Sequence, residues 1–242
     1  MKKEQMKHSK AILIFIFLFS SVLFVCCNVD QEPTTKNLDD VILSDTSGFY
    51  YVDVKNYPVK NKKLPIGIFD SGTGGLTVMD AIVNYDGFNN QSKSINPDGI
   101  LDFEKECFIY LADQANMPYG NYPSLGKTDV LKEHILKDFQ FLLSNKYYQS
   151  SGDEKFKTDK LPVKAIVIAC NTATAYGMDD IEAFLKKAKL DIKVIGVINA
   201  GVKGAFENIS KDENCSIAVM ATEGTVLSNG YVNAINKYKS DF

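Results

Sequence analysis

Histidine is almost missing from this sequence; the only two are His8 and His134. A Ser-His-Asp triad would have to use His134, because His8 lies in an N-terminal leader. His134 falls in residues 128–143, where Leu131, Ile135, Phe139 and Leu142 recur at helical spacing. It is expected at the surface or boundary of that helix. Cysteine is sparse too, with Cys26, Cys27, Cys107, Cys170 and Cys215. None of the last three has a CxxC partner, which argues against a zinc site or a redox pair, and no metal is expected. An odd number of widely spaced cysteines argues against a disulfide scaffold. Charge of either sign is not in excess: 27 Lys and Arg against 30 Asp and Glu leave a net charge of -3, so there is no electrostatic case for nucleic acid. No internal repeat, P-loop or GxGxxG occurs.

What is present is an ordinary globular composition, 45% hydrophobic and 24% charged, enough for one large or two small domains. Residues 1–27 stand apart. Lys2, Lys3, Lys7 and Lys10 precede an apolar run over 11–25 that ends at Cys26 and Cys27. A basic start and a short apolar stretch form a secretory-signal layout. The run is shorter than the roughly 20 residues of a comfortable membrane-spanning helix. A cysteine directly after it suggests a bacterial lipoprotein, acylated through Cys26 or Cys27. The expected location is the cell envelope, or the cytoplasm if the leader is a mis-called start. Residues 28–64 read as a tether or an irregular N-terminal extension.

From residue 65 onward strand and helix signals alternate. Strands are expected over 65–69, 107–112, 163–169, 193–198 and 216–222. Helices are expected over 76–82 and 128–143, from the CNT segment to residue 187, and over 225–238. This alternation predicts an α/β fold, a parallel sheet with helices on both faces. Residues 84–106 and 145–160 are polar and read as surface insertions.

The segment VKAIVIACNTATAY carries the most information. Its unbroken apolar run suits a strand buried on both faces. In open α/β sheets ligands bind beyond the carboxyl ends of the strands, which is where Cys170 is expected. There it also faces the N-terminus of the next helix, whose partial positive charge favours thiolate. Two other loops follow strands and share that rim. Asp70-Ser71-Gly72-Thr73-Gly74-Gly75 can turn tightly and present backbone N–H groups to an anion. Pro118-Tyr119-Gly120 is the other.

In that order, PIGIFDSGTGGLTVMDAI, YLADQANMPYG, VIACNTATAYGMDDI and IAVMATEGTVLSNGY resemble successive signature segments of the glutamate racemases. These are cofactor-independent members of the aspartate/glutamate racemase superfamily. The resemblance implies a flavodoxin-like first domain over 65–198 and the start of a second, pseudo-symmetric α/β domain over 199–242. It implies that Cys170 exchanges the α-proton on one face of glutamate, with Asp70 influencing that proton and binding substrate. Ser71, Tyr119, Gly120, Asn171 and Thr172 are implied substrate contacts, and Thr222 in ATEGT approaches the site. No cofactor is implied, the substrate is glutamate, the product feeds peptidoglycan, and a homodimer is an expected assembly. Three departures stand out. The family draws its second acid/base group from a Cys-Thr-His segment that is not among these residues, so the chain is expected to be incomplete. Asn199-Ala200 stands where the family usually has Glu-Pro. Cys215, placed before a strand, is expected to be structural or superficial rather than a second base. The alternative to a racemase is an envelope-anchored binding protein or a one-base relative.

Overall fold

The computed structural model describes residues 37–210 and 214–241, which form one compact unit. The leader and both of its cysteines lie outside the described residues. Four strands form one parallel sheet: β1 (Ile66–Asp70), β2 (Phe108–Ala112), β3 (Ala165–Ile168) and β4 (Lys193–Gly196), in the order β2-β1-β3-β4. Helices follow as α1 (Leu38–Ser44), α2 (Gly75–Val83), α3 (Thr128–Leu143), α4 (Asn171–Ala188), α5 (Val197–Glu207), α6 (Glu223–Leu227) and α7 (Gly230–Asp241). Among the described residues the architecture is the expected α/β sheet.

Parallel strands need crossovers, and right-handed crossovers set the layers. The step from β1 to β2 runs one way along the sheet, while those from β2 to β3 and from β3 to β4 run the other. That places α2 on one face and α3 with α4 on the opposite face, where the two pack together. On the α3/α4 face Phe69, Ile166 and Ile168 interleave with Leu131, Ile135, Phe139, Leu142, Ile181 and Phe184, all buried. The apolar spacing along α3 is thus spent on the core. His134 stays at the boundary, its ring against the edge of Tyr122.

Two expectations need correction, and a third is narrowed. Residues 216–222 form no strand; residues 214–220 are all exposed, with Met220 98% accessible. A β-branched run becomes a strand only beside another strand, and no ladder reaches this one among the described residues. The strand expected over 193–198 stops at Gly196; Val197 opens α5, which buries Ile198 and Val202. Asn199 and Ala200 lie exposed on that helix. Of the two readings given for residues 28–64, the described part, 37–64, fits the irregular extension and not the tether. Ile42, Val52 and Leu64 are buried. The Tyr57 hydroxyl donates to the Val163 carbonyl at 2.8 Å, in a setting buried enough to push its pKa up. The few aromatics of this stretch are its anchors, not linker residues.

Candidate active site

In an open parallel sheet a crevice opens where neighbouring strands send their chains in opposite directions. Here that point lies between β1 and β3. Register pairs Phe69 with Ile168, and Ala169 N–H donates to the Phe69 carbonyl at 2.7 Å. Asp70 and Cys170 therefore leave the sheet side by side. A cleft of about 530 Å³ opens above them. Asp70, Ser71, Tyr119, Gly120, Cys170, Asn171, Thr172 and Thr222 all line it, so the residues expected from sequence converge on one site.

Cys170 is the N-cap of α4, and its sulfur accepts from the Ala173 N–H at 3.4 Å. The Ser71 hydroxyl lies 3.4 Å from the same sulfur. Burial pushes the thiol above its usual range. Ser71 and the Ala173 N–H pull it down, and the charge of Asp70 pushes it up again. The balance holds a protonated sulfur in the resting cleft. A thiol can deliver a proton; the thiolate that removes one forms as pH rises or as a cationic group enters. Asp70 is held in place by α2: its Oδ2 accepts from the Gly75 N–H at 2.8 Å, a carboxylate on a helix N-terminus. Gly75 has to be glycine, because an added Cβ would lie 2.7 Å from the Asp70 Cβ and 2.9 Å from the Ala169 Cβ.

The far wall comes from residues 222–231. Thr222 caps α6, and its hydroxyl lies 3.0 Å from that of Thr225, which lies 2.9 Å from that of Thr172. The Tyr231 hydroxyl donates to Asn171 Oδ1 at 2.8 Å, and Tyr176 donates to the Gly224 carbonyl at 2.8 Å. Gly224 meets the Gly120 backbone so closely that an added Cβ would stand 2.6 Å from the Gly120 carbonyl oxygen. Polar bonds and one glycine dock this wall on the first turns of α4.

Tyr119 differs from its expected role in one respect. It borders the cleft, but its side chain is buried and its hydroxyl is committed to Asp113 and Asp138, at 2.6 and 2.7 Å. It therefore cannot offer that hydroxyl to a ligand. Four contributors were not singled out by sequence: Thr225, Tyr231, Asp138, and Tyr110, whose hydroxyl donates to the Gly72 carbonyl at 3.0 Å. Burial and then the charge of Asp70 push the Tyr110 pKa up. Thr225, Tyr231 and Tyr110 lie within the quoted segments; Asp138, three residues after Ile135 and seven after Leu131, falls beside the apolar stripe of its helix, and a carboxylate at that spacing was the signal passed over. Cys107 and Cys215 are exposed and do not line the cleft. Cys215 borders a separate groove with Phe206, Ile217 and Val232. Among the described residues no cluster of His, Cys, Asp and Glu could hold a metal, and no helix is long and apolar enough to cross a membrane.

The fold and site together define an open parallel α/β protein with a buried thiol and a helix-capping carboxylate at its switch point. The chain is 33% identical over 176 residues to a glutamate racemase of Oceanobacillus iheyensis, covering 73% of this chain and 48% of that protein. It is 33% identical over 178 residues to a glutamate racemase of a Sulfurihydrogenibium species, covering 74% and 52%. A crystal structure of a glutamate racemase isoform from Bacillus anthracis matches with a TM-score of 0.51 and 28% identity, over 74% of this chain and 51% of that one. No family-wide sequence profile matches. The chain belongs to the glutamate racemase family, and it spans about half the length of the curated relatives it matches.

Proposed function

We propose that the cleft takes glutamate and that Cys170 carries its α-proton, as half of a cofactor-independent racemisation of L- and D-glutamate. The observation that carries this reading is the place of the sulfur: at the floor of the cleft, beside Ser71 and Asp70, on the N-terminus of α4. Abstracting an α-proton without an iminium-forming cofactor leaves a carbanion that fixed donors must stabilise. The backbone around Gly120, the Ser71 hydroxyl, the Asn171 amide and the Thr172 hydroxyl suit the two carboxylates and the ammonium of such a substrate. In one direction the thiolate takes the α-proton and becomes the thiol; in the reverse direction the thiol returns that proton to the carbanion.

Inversion needs a group on each face of the α-carbon. Among the described residues Cys170 is the one cysteine that lines the cleft. The described part therefore supports exchange on one face. Incubating each glutamate enantiomer with the protein in heavy water tests this. Deuterium entering the α-position of one enantiomer without interconversion is expected of the described part alone. Interconversion of both reveals a second group, and no exchange in a folded sample favours a binding protein.

The leader supports a location at the bacterial envelope with a lipid on Cys26 or Cys27, where D-glutamate for peptidoglycan would be a surprising product. Radiolabelled palmitate incorporation, lost when both cysteines become serine, is the test of that anchor. A homodimer remains part of the proposal, and its mass by light scattering decides it.

A further inference from the structure

Beneath the cleft lies a polar cluster that the proton-transfer chemistry does not use. The Tyr119 hydroxyl stands 2.6 Å from Asp113 Oδ2 and 2.7 Å from Asp138 Oδ2. Tyr119 and Asp113 are buried, and Asp138 is partly so. A hydroxyl has one hydrogen to donate. Two carboxylates at hydrogen-bond distance from one hydroxyl oxygen need a second hydrogen, so one carboxyl must carry it. The neighbours decide which. Asp113 also accepts from the Asn116 amide, at 2.9 Å to each of its oxygens, and so acts as the acceptor. Asp138 is left as the donor. The chain then runs from the Asp138 O–H to the Tyr119 oxygen, and from the Tyr119 O–H to Asp113.

Among the described residues neither carboxyl has a cationic partner within ion-pair distance. On α3, Lys137 is drawn to Glu133 and over the Tyr50 ring, and His134 faces the Tyr122 ring. From the β2 side Tyr119 and Asp113 face Asp138.

We propose that Asp138 and Asp113 are positioning residues that share a proton through the Tyr119 hydroxyl, and so hold the Pro118–Gly120 wall of the cleft in a pH-dependent way. Tyr119 belongs to the short turn Tyr119–Asn121, whose backbone borders the cleft and meets Gly224 across it. A strut fixed at the hydroxyl fixes that backbone. When Asp138 ionises, the hydroxyl can satisfy only one of two anions, and the other is repelled. Burial, and then Asp113, raise the Asp138 pKa to about 7, against the pull of the Tyr119 hydroxyl, so the change falls near neutrality. The proposal rests on the preceding reading only for what the cleft takes.

The test begins without substrate. Carbon-13 NMR of the aspartate carboxyls in the full chain is expected to show one group titrating near pH 7 that vanishes in Asp138→Asn. An asparagine there donates permanently from its amide and cannot ionise. Hydrogen exchange of the backbone over residues 113–125 is then compared between wild type and variant. Equal protection near pH 5, and faster exchange in wild type near pH 8, are expected. Tyr119→Phe, which removes the shared oxygen, is expected to exchange faster at both values. With glutamate, the wild-type α-proton exchange rate relative to that of Asp138→Asn should fall above neutrality. The absence of a carboxyl titrating near neutrality overturns the proposal, as do wild type and Asp138→Asn that behave alike at pH 8. If no glutamate exchange occurs at any pH, the functional reading fails while the carboxyl titration and amide exchange still decide the strut.

Discussion

Residues 165–168 and residues 216–222 are alike in composition and opposite in fate. Ala165–Ile168 pairs with β1 on one side and β4 on the other, buries Ile166 and Ile168, and delivers Cys170 to the cleft. The run SIAVMAT is just as rich in small and apolar side chains, yet residues 216–220 lie exposed and no strand among the described residues pairs with it. The difference is in the neighbours. A strand is stabilised by the strands beside it and by the helices that cover it, not by its own residues alone. The core face of the sheet is therefore expected to be sensitive to substitution, and residues 216–220 tolerant.

Substitutions can sharpen or break that contrast. The largest effect is expected on chemistry: Cys170→Ala should abolish α-deuterium incorporation, and Cys215→Ala should leave it intact. Loss of exchange in Cys215→Ala would tie the unpaired region to the site and erase the contrast. Phe139→Ala removes a fully buried ring from the α3/α4 face and should cost about 3–5 kcal/mol in denaturant unfolding. Gly224→Ala forces a methyl against the Gly120 carbonyl and should cost about 1–3 kcal/mol, with weaker glutamate binding. Thr225→Val breaks the hydroxyl chain linking Thr222 and Thr172 and should cost about 1–3 kcal/mol through unpaired neighbours. Met220→Ser, at an exposed position, should change stability by less than about 0.5 kcal/mol. A large loss there would mean that residues 216–222 are packed after all.

Stability should also depend on pH with a definite sign. The Asp138 carboxyl is raised from 3.8 to about 7 in the folded protein. Between those values the folded state keeps a proton that the unfolded state has released. Its contribution is full below about pH 4 and is lost as pH rises to about 7. Thermal melts of Asp138→Asn should lack that slope.

Much of the site was legible because its signals are local. Three loops directly follow three apolar strands, and each strand end carries its polar residue within two positions: Asp70, Cys170 and, after β2, Asp113. The helical spacing of Leu131, Ile135, Phe139 and Leu142 predicted both α3 and its buried face. What escaped depends on distant partners. Tyr57 finds its acceptor at Val163, 106 residues away. Thr225 meets Thr172 across 53 residues. The role of Asp138 exists only because Tyr119 and Asp113 converge on it. The strand expected over 216–222 failed for the converse reason: its local signal was good and its partner was not among the described residues.

The most direct measurement is alkylation of the three described cysteines, followed by mass spectrometry with and without glutamate. Cys107 and Cys215 are exposed and should react at rates glutamate does not change, while Cys170 reacts more slowly and is slowed further by glutamate. A Cys170 rate indifferent to saturating glutamate of either hand would contradict a cleft that brings an acidic amino acid onto that sulfur.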